Sequence, residues 1–125
     1  MINTSELDTH YMRQALRQAQ KAYEANEVPV GALAVLDKRI LGQAYNQTML
    51  LKDPTAHAEI LAKTQAAGAL GKERLDGVTV YVTIEPCPMC LGAMIQARIA
   101  RLVFGAREPK TGACGSVVNL MAEAK

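Results

Sequence analysis

Residues Val78-Thr79-Val80-Tyr81-Val82-Thr83-Ile84 alternate at period two, the clearest strand pattern in the chain. Pro88 to Ala97 then reads as a helix, and Arg101 to Ala106 as a further apolar strand. Strand, helix and strand in this order imply a parallel pair joined by a right-handed crossover. That unit confines the chain to an α/β architecture.

The rest of the chain fits around it. Met12, Ala15, Leu16, Ala19 and Tyr23 recur at helical spacing and predict a first helix from about Asp8 to Ala25, closed off by Pro29. Gly31 to Leu36 and Arg39 to Tyr45 predict an antiparallel hairpin turning at Asp37-Lys38, without the Asn-Gly pair that such turns favour. A loop follows from Asn46 to Pro54. A second helix is expected from about Ala56 to Ala67, with Thr55 as its N-cap and Gly68 as its stop. A last short helix is expected from Ser116, carrying Val117, Leu120 and Met121. The order helix, hairpin, helix, strand, helix, strand, helix predicts a three-layer α/β domain with a mixed central sheet, one domain over residues 1–125.

Composition removes several function classes. The net charge of +2, from 14 basic and 12 acidic residues, is too mild to imply a nucleic-acid partner by itself. No apolar run approaches the roughly 20 residues of a membrane helix. Met1 to Thr9 lacks a basic region followed by an apolar stretch, so no secretory signal is expected and a cytoplasmic location is the default. There are 3 cysteines, Cys87, Cys90 and Cys114. An odd count with one C-x-x-C pair is a poor disulfide framework and points to metal binding or redox chemistry.

Two motifs carry that chemistry, His57-Ala58-Glu59 and Pro86-Cys87-Pro88-Met89-Cys90. Each falls at the expected N-terminus of a helix, where exposed N–H groups and the positive helix end favour thiolates. Cys87 and Cys90 share one helical turn and face the same way, and His57 can reach the same point from the neighbouring helix. Two thiolates and a neutral imidazole make a catalytic zinc set, three protein ligands with the fourth position open to water. Zinc lowers the pKa of such a water from 15.7 towards about 7. Glu59, two residues beyond the histidine, is the expected proton carrier. Alone, H-x-E more often marks a capping or core histidine, and C-x-x-C is equally a redox pair or half of a structural zinc site, with Cys114 or His10 as further ligand. Average residue usage puts both motifs arising together by chance on the order of one in ten thousand.

H-x-E followed by P-C-x-x-C is the signature of the zinc nucleobase deaminases. Within that superfamily the chain resembles the bacterial tRNA-specific adenosine deaminases over nearly its whole length. The resemblance includes Glu27-Val28-Pro29-Val30-Gly31-Ala32, Asp53-Pro54-Thr55-Ala56-His57-Ala58-Glu59, Tyr81-Val82-Thr83 and Glu85-Pro86-Cys87. It continues through Met89-Cys90, Gly92-Ala93-Met94-Ile95, Val103-Phe104-Gly105-Ala106-Arg107 and Lys110-Thr111-Gly112-Ala113.

The resemblance implies a cytidine-deaminase-like α/β/α fold, one zinc ion per chain, a homodimer, and conversion of adenosine to inosine at the wobble position of a tRNA anticodon stem-loop. It also implies a base-contacting role for Asn46, whose amide can pair with a purine edge, and a base pocket lined by Val28, Ala58 and Pro86. Glu108 replaces the family's usual Asp in the loop that holds flanking nucleotides, and Asn46-Gln47-Thr48-Met49-Leu50 also departs from the family pattern. The family continues with another strand and a long C-terminal helix, which the sequence ending at Lys125 does not include; a shortened or miniature deaminase is expected, with Arg101 to Ala106 as a sheet edge. Arg98, Arg101, Arg107 and Lys110 cluster against Glu108 and are expected, with Arg107 and Lys110 foremost, to form a backbone-binding rim. Competing readings are a cytosine or guanine deaminase, an engineered deaminase of single-stranded DNA, and an inactive zinc-stabilised nucleic-acid-binding module.

Overall fold

The computed structural model describes residues 4–114. The helix expected from Ser116 lies outside the described residues. Element order is α1 (Thr4–Glu24), β1 (Gly31–Leu36), β2 (Arg39–Tyr45), α2 (Ala58–Leu70), β3 (Thr79–Ile84), α3 (Pro88–Ala97) and β4 (Arg101–Ala106). The strands form a 4-stranded sheet in the order β2-β1-β3-β4. β1 is antiparallel to both β2 and β3, whereas β3 and β4 run parallel with Thr79 opposite Arg101 and Ile84 opposite Ala106. The mixed sheet and the parallel crossover through α3 are as the sequence predicts.

The period-two alternation sorts side chains between two cores. Leu33, Val35 and Tyr81 face α1 and pack with Tyr11 and Ala15. Ala32, Ala44 and Val82 face the other way, onto Ala58 and Ala62 of α2. Ala34 and Val80 join Leu91 and Met94 of α3 on that second side, with Leu75 and Val78. Leu33, Leu75, Leu91 and Met94 are almost wholly buried, and each such side chain contributes roughly 1.5–3 kcal/mol relative to exposure. Small residues set the layer spacing. A Cβ at Gly31 would overlap the Ala15 carbonyl oxygen and crowd the Ala19 nitrogen of α1.

Three local expectations are corrected and one, the Asp37-Lys38 hairpin turn, is borne out. First, α1 starts at Thr4, and its buried stripe is Tyr11, Ala15, Gln18, Ala19 and Ala22. Leu16 and Tyr23 are exposed, because close approach to the sheet at Gly31 admits alanines better than large side chains. Second, the Asp37-Lys38 turn takes positive φ at both residues, 49° and 64°, the twist that a two-residue hairpin requires even without Asn-Gly. Third, His57 rather than Thr55 is the N-cap of α2; the Thr55 hydroxyl donates instead to the Asp53 carboxylate at 2.7 Å. Fourth, α2 runs through Gly68 and ends at Gly71, which adopts a left-handed conformation with φ 68°.

Candidate functional site

The ends of two helices meet at one point. His57 is the N-cap of α2 and Cys87 the N-cap of α3, both in extended conformation and neither making a side-chain capping bond. Pro88 suits the first turn of α3, where no backbone donor is needed. Upstream of His57 the chain is held by a compact loop. The Gln47 N–H donates to the Ala56 carbonyl at 3.0 Å and the Asp53 N–H to the Thr48 carbonyl at 3.0 Å. The Thr55 hydroxyl and amide both donate to Asp53 and hold its carboxyl below the ordinary carboxylate range.

His57 Nδ1 lies 3.2 Å from Cys90 Sγ and 3.8 Å from Cys87 Sγ. The donor atoms of the three residues all lie within 4.8 Å of one another, the one such group among the described residues. Tetrahedral zinc, with its bonds of about 2.3 Å to sulfur and about 2.0–2.1 Å to nitrogen, separates the two donors by about 3.6 Å. The two distances bracket that value, so the donor set fits the ion in both chemistry and spacing. Cys114 and His10, the other ligands weighed from the sequence, stand outside the group. Cys114 is half-buried against the α3 core, and His10 faces Gln14 on the exposed side of α1.

Cys90 is fully buried. Burial pushes its thiol up, and the neighbouring Glu59 and Cys87 charges add to the effect. A cation held between the sulfurs would offset that cost of burial. Glu59, in the first turn of α2, is 3% exposed. Burial pushes its carboxyl up, opposed by its own backbone N–H and by His57 and Cys90.

A cavity of about 210 Å³ opens onto this cluster, with His57, Glu59 and Cys87 in its wall. Asn46, Val28 and Glu108 also line it. Asn46 is buried, with its amide 3.5 Å from the Thr48 hydroxyl and its backbone N–H bonded to the Val30 carbonyl at 3.0 Å. Ala58 and Pro86 are not in that lining. Ala58 packs into the core beneath β1 and β2, and Pro86 is fully buried with its carbonyl accepting the Ala113 N–H at 2.9 Å. The Glu108 carboxylate accepts the Lys110 N–H at 2.9 Å.

The expected basic rim divides. Arg107 and Lys110 are exposed beside Glu108 and Thr111 of the cavity wall. Arg101 is instead tied to Asp8 at 2.8 Å, and Arg98 lines a separate cleft with Lys63 and Arg74.

Sequence reasoning missed Val30, Thr48, Ile84, Glu85 and Thr111 in the cavity wall. It also missed Glu27, a buried carboxylate that accepts the Met49 and Leu50 N–H groups at 3.0 and 2.7 Å. Acids bonded to distant backbone amides leave no periodic signal. The available hint was an acid directly after an apolar strand, as at Ile84-Glu85.

Known proteins resemble this chain in sequence and fold. The family model for MafB19-like deaminase matches residues 6–124. The tRNA-specific adenosine deaminase of Bacillus subtilis (strain 168) is 46% identical over 116 residues, which span 93% of this chain and 72% of that protein. A solved structure from work on A-to-I editing by tRNA:A34 deaminases superposes with a TM-score of 0.89 at 50% identity, covering 91% of this chain and 83% of that one. Guanine deaminase from Bacillus subtilis superposes with a TM-score of 0.78 at 34% identity, covering 85% of this chain and 66% of that one.

Proposed function

We propose that this chain, which belongs to the MafB19-like deaminase family, hydrolyses adenosine to inosine at the wobble position of a tRNA anticodon. The observation that carries the reading is the sharing of one cavity by Glu59, the His57 and Cys87 ligands and Asn46. The likeness to proteins named for tRNA adenosine deamination supports the choice of base and of RNA.

His57, Cys87 and Cys90 would hold one zinc ion. Zinc bound there would supply Lewis acidity, bringing a water's pKa from 15.7 towards about 7. Glu59 accepts a proton from the attacking water and passes it to the ring nitrogen next to C6. Water oxygen adds to C6, and Glu59 then takes the remaining proton from the new C6 hydroxyl and delivers it to the departing amine, so that ammonia leaves and the carbonyl of inosine remains. The buried position of Glu59 suits this traffic, because a carboxyl raised by burial holds and releases a proton nearer neutral pH. Asn46 offers both a donor and an acceptor to the base edge. At about 210 Å³ the cavity falls below the range of drug-sized ligand sites and suits a single extruded base. Val28, exposed at the mouth, supplies apolar contact to the ring. A homodimer in the cytoplasm completes the proposal by analogy with the family.

Mass spectrometry of the zinc-loaded protein with an anticodon stem-loop, with single-stranded DNA of mixed A and C, and with free guanine tests the reading. Inosine in the stem-loop is the expected product. Uracil in the DNA or xanthine from guanine, with the stem-loop unchanged, would replace it with another deaminase specificity.

A further inference from the structure

We infer that Glu85 is a positioning residue for the reaction proposed above, locking residues 106–114 onto the Pro86-Cys87 turn so that the cavity wall and the metal ligands move as one body. The inference rests on that functional reading for its kinetic consequence and on hydrogen bonds alone for its structural one.

Glu85 directly follows β3 and is 2% exposed. Its Oε1 accepts the Glu108 N–H at 3.1 Å and its Oε2 accepts the Cys114 N–H at 2.7 Å. The Glu85 N–H donates to the Ala106 carbonyl at 2.7 Å, and the Ala113 N–H donates to the Pro86 carbonyl at 2.9 Å. Two consecutive residues thus grip both ends of the segment that places Glu108 and Thr111 in the cavity wall. Cys87, a metal donor, comes next in the chain.

The chemistry of the side chain fits the task. A buried carboxylate is costly unless donors satisfy it, and charged hydrogen bonds to backbone N–H groups are among the stronger ones. An apolar residue of equal size would fill the space and leave two amides without acceptors. Gly112 completes the arrangement: a Cβ there would overlap both the Glu85 carboxyl group and the Glu108 carbonyl oxygen. The segment can close over Glu85 only with glycine at that point.

Two variants separate this role from simple packing. Glu85→Gln keeps the size, leaves one acceptor oxygen, and turns an NH₂ group towards the second amide. Gly112→Ala leaves Glu85 intact and wedges the segment away from it. Each is to be measured for zinc content, amide hydrogen exchange at Glu108 and Cys114, and steady-state kinetics on an adenosine-containing stem-loop. Zinc content is expected to hold, the two amides to exchange about tenfold faster or more, and KM to rise roughly tenfold with kcat within about twofold. The double variant should be little worse than either single one, because both break the same interaction. Should Glu85→Gln not fold, Gly112→Ala carries the test. Unchanged exchange at both amides, a fall in kcat at constant KM, or loss of zinc from Gly112→Ala overturns the inference. A wild-type protein silent on the stem-loop would overturn the proposed reaction instead, with the exchange result still deciding the clamp.

Discussion

His57, Glu59, Cys87 and Cys90 could be read from the sequence because metal and proton chemistry restrict residue type and spacing together. The structure adds what spacing does not contain, namely that Glu59 is buried beside Cys90 rather than exposed on the first turn of its helix. Glu59→Ala is expected to retain stoichiometric zinc by metal analysis while turnover falls by roughly 10²–10⁴, the usual worth of a general acid-base group. Loss of zinc in that variant would make Glu59 a ligand and overturn its assigned role. Asn46, Val28 and Glu108 line the cavity, whereas Ala58 and Pro86 pack behind it. Neighbours of functional residues in a motif often serve the backbone path, and sequence proximity does not tell the two apart.

Element existence was legible from periodicity, and β1, β2, α3 and β4 fall at the expected residues. Helix ends were less so, because a hydroxyl next to an apolar run has more than one partner available. Thr55 chose Asp53, and the helix cap moved two residues on, to His57. The α1 helix is fixed to the sheet by an interaction that no local pattern announces. Asp8 of α1 receives the Tyr81 hydroxyl of β3 at 2.6 Å and both guanidinium nitrogens of Arg101 of β4. The Arg101 hydrogen bonds hold the Asp8 carboxyl below its ordinary value, ahead of the smaller opposing effect of burial. A carboxyl depressed in the folded state adds stability above its unfolded pKa of about 3.9, and that stability is lost as pH falls through the lower folded value. Asp8→Asn, which still accepts the Tyr81 hydroxyl, should therefore be less stable than wild type above about pH 5 and converge on it as pH falls through the lowered folded pKa. The difference should stay under about 1 kcal/mol, because both partners are partly exposed. Urea unfolding across that range checks it; an equal gap at every pH would mean the carboxylate charge contributes nothing.

For the molecule as a whole, the sequence predicted layers and a parallel crossover but not the strand order, since β1 between β2 and β3 depends on pairing across α2. That order also decides which basic residues share a surface. Arg101 is drawn to α1 and Arg98 to the far side of α3, leaving Arg107 and Lys110 beside the cavity. Replacing both with Ala is expected to weaken stem-loop binding and to flatten the dependence of log K on log salt by roughly 0.7 for each phosphate no longer neutralised. Fluorescence titrations at several salt concentrations measure it, and an unchanged slope would remove the two residues from the nucleic-acid surface.

The pairing of β1 with β3 also has a consequence in time. His57 and Cys87 are 30 positions apart in the chain, and they lie in two successive units of it: the β1–β2 hairpin with α2, and the β3-α3-β4 crossover. A hairpin closes within microseconds, whereas joining distant segments waits on a larger entropic loss. As the chain emerges during synthesis, the histidine and its glutamate appear first, without a thiol near them. Later the cysteine pair appears on its own short turn, able to offer an ion two ligands and no third. Three-point capture of a zinc ion by His57, Cys87 and Cys90 would therefore require the sheet to have closed first.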